Sequence, residues 1–597
     1  MGLPLAIKAH GEGNLAEAAR QYERALDQNK VEPILFQNYG ALLRASGDEK
    51  KAETIYKQGL SRYPNHSTIL PNYANLLKTT GRTSEALQCY LTHLRCCRAG
   101  DDPKLKIAYT QCIDALLSEN RVQWALQMIR SAIKDLGLCF ELLWSLFRIC
   151  NHEGGHSFAE DQQQLVLNTI ELRLESCTPL EKAEFIFARS FFELNREELQ
   201  AALQSIQLAS EVLSTASLVT PEEQKKAQKL YDRSNWNSSC ILLKHQLFQQ
   251  GWSLYEYGLR TPAPGKQKWQ RALKKPFSLH ELPLWRGSEL KGQRILLLEE
   301  QAVGDTMMFA SLLPPLIQES AHVGLLLSGR LLPIYQRSLS TEIQQGEVSI
   351  WSQNDVAEGR LHPGLFDVQC PLGSICQHRF TAVDTYAPRV PILVADGASS
   401  HQFRLNYLMG ATEKIIGISW RGGAQADRMK QKSIHVDLIA DLMKQFPHYR
   451  FVSLQYGDVK SVISGWQGQG IPVIHDEKVN PLKNMELWLN QVAACDAVIS
   501  VANTTIHGAG GLNIPTQCLL SLHSDWRWLS DSAVMRSYWY PSVGIARETK
   551  QQGWQPALEQ VSSWLQAGCP MPDGPVHTTE ESASGSHAFV EGDPIQE

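Results

Sequence analysis

The 597-residue chain is 43% hydrophobic and carries 57 Lys and Arg against 62 Asp and Glu, a formal net charge of −5. That composition suits a globular protein with several cores, and the length fits roughly four compact units at about 150 residues each. The near-neutral balance, without a Lys/Arg block, argues against a general nucleic-acid binder, and the longest apolar runs, at 295–298 and 325–327, are too short for a transmembrane segment.

The chain starts Met1-Gly2-Leu3-Pro4 with no basic region, so no secretory signal is expected. Ala6 stands where a myristoylation signal requires Ser or Thr. A set of residues then returns every 34 positions: Gly13, Gly47 and Gly81; Ala18, Ala52 and Ala86; Tyr22, Tyr56 and Tyr90; Leu26, Leu60 and Leu94. Asn38-Tyr39 recurs as Asn72-Tyr73, and Leu42-Leu43 as Leu76-Leu77. Period and residue types resemble the tetratricopeptide repeat, a helix–turn–helix unit whose stacks form a groove for a peptide or protein partner. Small Ala suits close helix approach, Tyr and Leu fill the seam, and Gly ends the first helix. Repeats are thus expected over 1–100, degenerate helical repeats over 101–235, and a helical, Pro-rich connector over 236–290.

Past Gly292 the rhythm changes to strand–helix alternation. Strands are expected at 295–298, 323–327, 348–351 and 366–371; the pattern pauses near 396–402, then resumes with strands at 415–420, 450–455, 473–474, 497–501 and 517–521. Helices are expected at about 435–446, 484–494 and 503–510. This is the βαβ pattern of doubly wound sheets, giving an α + α/β fold with Rossmann-like units at 291–400 and 401–566. From 567 to 597 the text turns to Gly, Pro, Ser, Thr and acid, the composition of a disordered tail. The 13 cysteines include no Cys-x-x-Cys pair, and Cys96 and Cys97 are adjacent. Reduced thiols in a cytoplasmic protein are therefore expected, not disulfides or a metal centre.

In open parallel sheets ligands sit beyond the carboxyl ends of the strands, so the loops there are the places to read. After the strand at 497–501, Asn503 suits a helix N-cap, Thr504 and Thr505 form the first turn, and His507 follows one turn on. Such a start suits a phosphate; the alternative is an ordinary capped helix with a structural histidine. After 415–420 come Arg421, Gly422 and Gly423, then Arg428, Lys430, Lys432 and Ser433. These cations could neutralise a diphosphate or simply be solvated. After the first strand, Glu300-Gln301-Ala302-Val303-Gly304-Asp305 puts Asp305 where a general base could act, or where it caps the helix. Gln455 could bind a base or ribose. No Asp-x-Asp follows a strand, and Gly-x-Gly-x-x-Gly, Gly-x-x-x-x-Gly-Lys-Ser/Thr and Gly-x-Ser-x-Gly are all missing.

The stretch from Trp252 to Trp554 resembles the glycosyltransferase-like domain of bacterial tetratricopeptide-repeat proteins, related to the lipopolysaccharide heptosyltransferases. The matching pieces begin with Gly251-Trp252, Tyr255-Glu256, Trp285-Arg286-Gly287, Glu300-Gln301, Gly304-Asp305-Thr306, Phe366-Asp367 and Pro371-Leu372. They continue with Gly417 to Gly422, Lys432-Ser433, Val452 to Gly457, Asn503-Thr504-Thr505, His507, Pro515 and Asp525-Trp526-Arg527-Trp528. The resemblance implies a GT-B fold and a nucleotide-diphosphate-sugar donor bound by the second unit, with neither metal nor other cofactor. It also implies Asp305 as catalytic base, Lys432 as phosphate ligand and residues 503–507 as the diphosphate-binding helix start. The chain departs from the heptosyltransferase pattern at Ala502, where that pattern has Asp, and at Ala302, where Gly is common. The resulting expectation is an inverting, metal-independent glycosyltransferase acting on a protein or glycan acceptor, with Asp305 as base and Arg421, Lys432, Gln455, Asn503, Thr504, Thr505 and His507 at the donor. The alternative is a repeat scaffold whose second half does not turn over.

Overall fold

A computed structural model describes residues 2–11, 14–28, 32–100, 103–150, 160–196, 198–217, 220–260, 271, 276–382, 385, 391–408, 414–422, 429 and 432–574. The chain divides into two compact units, Met1–Ser234 and Asn235–Glu597.

The first unit contains helix hairpins. Gly2–Gly11 packs on Leu15–Asp27, Pro33–Ala45 on Glu49–Arg62, Ile69–Thr79 on Thr83–Ala99, and Leu105–Ser118 on Val122–Leu136. Farther on, Pro179–Asn195 packs on Leu199–Thr215. The 34-residue columns mark their contacts. Ala18, Ala52 and Ala86 are fully buried where helices meet, and Tyr22, Tyr56 and Tyr90 are buried beside them. A Cβ on Gly40 would lie 2.4 Å from Cε1 of Tyr56, so glycine there makes room for the ring. The turns need a left-handed residue: Gly47 sits at φ +86° and Gly81 at φ +82°. Asp48 N–H then donates to Leu43 O at 2.9 Å and Arg82 N–H to Leu77 O at 2.8 Å. The next hairpin makes the same turn with Asn120 at φ +58°, Asn being the non-glycine residue that best tolerates this region. The repeat signal fades there because Thr83–Ala99 has 17 residues where Glu49–Arg62 has 14. Gly13 lies outside the described residues.

The second unit holds two parallel sheets. In the first, β1 (Arg294–Leu298), β2 (His322–Leu326), β3 (Val348–Trp351) and β4 (Val368–Pro371) lie in the order β3-β2-β1-β4. In the second, β5 (Ile415–Ser419), β6 (Arg450–Ser453), β7 (Val473–Ile474), β8 (Ala497–Val501), β9 (Thr516–Leu520) and β10 (Val543–Arg547) lie in the order β10-β9-β8-β5-β6-β7. Most strand residues are buried, as parallel sheets require. Both orders reverse once, between β1 and β4 and between β5 and β8. Connections leave in opposite directions there and open a crevice at the carboxyl ends.

Several sequence expectations are corrected. Strands end earlier than expected, leaving Trp420 and Gln455 in loops. β10 escaped notice because Gly544 and Ala546 interrupt its apolar run. Gly397–Leu408 is a helix where the pattern pauses; it buries only Ser400 and Tyr407, so it lacks an apolar stripe, and Asp396 Oδ1 caps it by accepting from Ser399 N–H at 2.7 Å. The expected tail begins too early at 567: Cys569 is buried, and Trp564 Nε1 donates to Pro570 O at 2.8 Å. The rest of that expectation, 575–597, lies outside the described residues, as do Pro262 and Pro264.

Residues 236–260 belong to the core of the second unit. Trp252 packs edge-on against Trp526 at 5.3 Å and against Tyr255 at 4.9 Å, while Phe309 meets Trp539 at 5.8 Å. Burying about 200 Å² of such a ring contributes ~5 kcal/mol before entropy is charged against it. This aromatic block joins helix Phe248–Tyr255, helix Val303–Ala310 and the segment after β9.

Candidate functional site

The two crevices hold the residues that the sequence singled out. Beyond β5, the side-chain carbonyl of Gln455 accepts from Ser419 Oγ at 3.0 Å, Trp420 N–H at 3.2 Å and Arg421 N–H at 2.9 Å. Gln455 is therefore occupied in shaping the Arg421 loop. Asn503 does the same from β8. Its Oδ1 accepts from Thr505 N–H at 2.8 Å, capping helix Thr504–Gly511, and its Nδ2 donates to Ser419 Oγ at 2.8 Å and Arg421 O at 3.1 Å. These bonds bridge the strand-order reversal and fix the positive end of the helix beside Arg421. Arg421 Nη2 is held by Tyr456 O at 2.9 Å. Gly422 permits close approach of Lys432, since a Cβ there would lie 2.8 Å from Lys432 Cβ and 3.2 Å from Lys432 O. Gly423, Arg428 and Lys430 lie outside the described residues.

Helix Thr504–Gly511 is rich in small residues because large groups press on its backbone. A Cβ on Gly508 would lie 2.6 Å from Trp488, one on Gly510 2.5 Å from Tyr540, and one on Gly511 2.5 Å from Leu393. Its start meets the start of helix Val303–Ala310, where a Cβ on Gly304 would come within 2.9 Å of His507 Cδ2 and 3.5 Å of Thr504 Oγ1. Two helix N-termini thus converge on one point. His507 is buried, stacked on Trp528 at 6.1 Å, with Nδ1 3.2 Å from Tyr540 OH. Burial pulls its pKa down to about 4, Arg527 adds to this, and Asp305 opposes it.

Asp305 both caps its helix and faces the second sheet. Its Oδ2 accepts from Ala302 N–H at 3.2 Å, and its Oδ1 from Arg527 Nε at 2.9 Å and from Arg527 Nη2. Arg527 Nη2 also donates to Gln301 Oε1 at 3.0 Å, and Nη1 lies 3.2 Å from Asp525 Oδ2. That same Asp525 oxygen accepts from Lys432 Nζ at 2.9 Å. Lys432, Asp525, Arg527 and Asp305 are thus a chain of alternating charge running from one α/β half to the other. Burial works to raise the Asp525 pKa, but Lys432 and Arg527 outweigh it and hold the carboxylate far below its usual range. Burial likewise works against the Arg527 charge, and Asp305 and Asp525 outweigh it.

The structure brings Asp525 and Arg527, of the Asp-Trp-Arg-Trp stretch, into contact with Lys432 and Asp305, which their place in the sequence does not signal. They sit in a loop after β9 with no motif spacing of their own. Also missed was Arg271, fully buried, whose Nε and Nη2 grip Glu300 at 2.9 and 2.6 Å while Nη1 reaches Glu256 Oε1 at 2.7 Å. Glu300 in turn accepts from Gly373 N–H at 3.1 Å across the β1/β4 reversal. This anchors the turn in which Gln301 takes φ +56° and donates to Tyr255 OH at 2.8 Å.

Among the described residues no group of three or more His, Cys, Asp or Glu is arranged to hold a metal ion, and no helix is long and apolar enough to cross a membrane.

No family model matches the chain. It is 23% identical over 590 residues to Protein FlbA of Caulobacter vibrioides, covering 94% of this chain and 89% of that one. Among solved structures, a glycosyl transferase of family 9 from Veillonella parvula covers 47% of this chain and 98% of its own, with 12% identity and a TM-score of 0.33. A tetratricopeptide repeat protein from Parabacteroides merdae covers 44% of this chain and 93% of its own, with 15% identity and a TM-score of 0.30.

Proposed function

We propose that the second unit binds a nucleoside-diphosphate sugar at the β5/β8 reversal and that the protein transfers the sugar to a hydroxyl of a protein or glycan acceptor. The observation that carries this reading is the Asn503 bridge: one amide caps a helix start and pins the Arg421 loop beside it, where an anion would meet a helix dipole and cations together. In the transfer, the acceptor oxygen bonds to the anomeric carbon as the bond from that carbon to the diphosphate oxygen breaks. The acceptor proton passes to Asp305, and the nucleoside diphosphate leaves with the bonding pair. Lys432, Arg421 and the start of helix Thr504–Gly511 stabilise its charge, the kind of contribution that often dominates such barriers. Helix hairpins of the first unit, read as tetratricopeptide repeats, would recruit the acceptor or a protein partner. The 13 scattered cysteines, with no Cys-x-x-Cys pair, suit a reducing compartment, and we assign the reaction to the cytoplasm.

A second reading is favoured by one observation: both Asp305 oxygens are engaged, one by Ala302 N–H and one by Arg527. A base so occupied fits a repeat scaffold that binds without turnover. A thermal-shift screen with UDP-, GDP-, ADP- and dTDP-sugars tests the donor site. At 100 times Kd a ligand stabilises by about 2.7 kcal/mol, and the shift is expected to vanish in Lys432→Ala. No shift with any donor refutes the donor reading. Sugar transfer or hydrolysis, abolished in Asp305→Asn with donor binding intact, supports the enzyme over the scaffold.

A further inference from the structure

We propose that Asp525 is an internal competitor for the donor diphosphate, holding Lys432 and Arg527 together until the diphosphate replaces it. The inference rests on the donor reading above and adds a positioning residue to it. A single oxygen, Asp525 Oδ2, lies 2.9 Å from Lys432 Nζ and 3.2 Å from Arg527 Nη1. An oxygen shared by two cations is how a phosphoryl oxygen is held. The fold supplies Asp525 for this place: its other oxygen accepts from Arg527 N–H at 3.2 Å and caps the turn Trp526–Trp528. The carboxylate therefore stays beside both cations through a local bond independent of either charge.

The arrangement links donor and base. Nε and Nη2 of Arg527 bind Asp305, Nη2 also binds Gln301, and Nη1 faces Asp525. A diphosphate that takes the place of Asp525 offers Arg527 more negative charge than one carboxylate does. Rotation of the guanidinium toward it releases Asp305 Oδ1. Donor binding then precedes exposure of the base, and an acceptor arriving first finds Asp305 engaged.

The test uses the full chain and isothermal titration with inorganic pyrophosphate and with UDP. Asp525→Asn keeps the capping oxygen and removes the charge, so it is expected to bind pyrophosphate about tenfold more tightly than wild type. Lys432→Ala is expected to bind more weakly, and Asp525→Asn/Lys432→Ala to lose the gain. Loss of the gain in the double variant shows that Asp525 acts through Lys432, which a purely structural role would not produce. Asp525→Ser, whose hydroxyl caps the same turn, reads the same gain if the Asn variant fails to fold. Unchanged or weaker binding by well-folded charge-removed variants, with wild type still binding, overturns this proposal and leaves the donor reading standing. No binding of either ligand by wild type or by variants overturns both.

Discussion

His507 offers a direct test of how the site is built. Its ring lies between Trp528 and Tyr540, and burial pulls its pKa to about 4 from an ordinary 6.5, with Arg527 lowering it further and Asp305 and Asp525 raising it. The folded protein therefore favours the neutral ring, while the unfolded chain takes up a proton more readily. The resulting stability is fully present above about pH 6.5 and is lost as pH falls toward 4. With ~1.4 kcal/mol per pKa unit, the full loss is ~3 kcal/mol, and ~2 kcal/mol is already gone at pH 5. His507→Gln removes the titration and keeps a group able to bond Tyr540. Urea unfolding of the second unit, followed by tryptophan fluorescence at pH 7 and pH 5, gives four stabilities for wild type and variant. Their double difference cancels the titrating groups that do not interact with His507. Wild type is expected to lose ~2 kcal/mol more than the variant on acidification. Parallel losses would refute the placement of a neutral, buried ring at this helix start.

Gly510→Ala puts a Cβ 2.5 Å from Cγ of a buried Tyr540 ring that has no free end to move. Overpacking of about 1–3 kcal/mol exceeds the ~1 kcal/mol that alanine adds to a helix, so the urea midpoint should fall; an unchanged or higher midpoint contradicts the packing. Arg271→Met leaves Glu300 fully buried without its cation, with the Gly373 N–H still donating to it. A loss of about 3–5 kcal/mol is expected, largely relieved in Arg271→Met/Glu300→Gln; a loss under ~1 kcal/mol in the single variant would contradict the burial of this pair.

What the sequence disclosed depended on whether a signal was local. Gly47 and Gly81 announce their turns because a left-handed residue is required there, whereas Asn120 meets the same need from a longer spacing and breaks the count. Asn503 is readable as a cap from its neighbours alone. Its bridge to Ser419 and Arg421 depends on β5 lying beside β8, and strand order is not written in any local pattern. Gly508 to Gly511 signal close packing, but Trp488, Tyr540 and Leu393 come from three other segments. Arg271, in a charged and Pro-rich stretch, reads as a surface residue. Nothing nearby says that Glu300 will be buried with it or that Glu256 will reach it.

The ion pairs across the site explain why it can be both ordered and displaceable. The Lys432 and Asp525 side chains are 23% and 29% exposed, those of Arg527 and Asp305 15% and 14%. Pairs that keep some contact with water cost less to break than a fully buried one, because water can solvate the charges set free. A charge-assisted hydrogen bond to a ligand is worth about 1.5–3 kcal/mol, and a diphosphate can make several at once. The alternating chain therefore holds Lys432 and Arg527 in place through bonds of the same kind that a diphosphate can offer in exchange. The Arg271–Glu300 pair is fully buried, and breaking it leaves an uncompensated buried charge, which costs about 3–5 kcal/mol. One charge network can yield while the other holds, so the Glu300–Gln301 turn stays fixed while Arg527 changes partner.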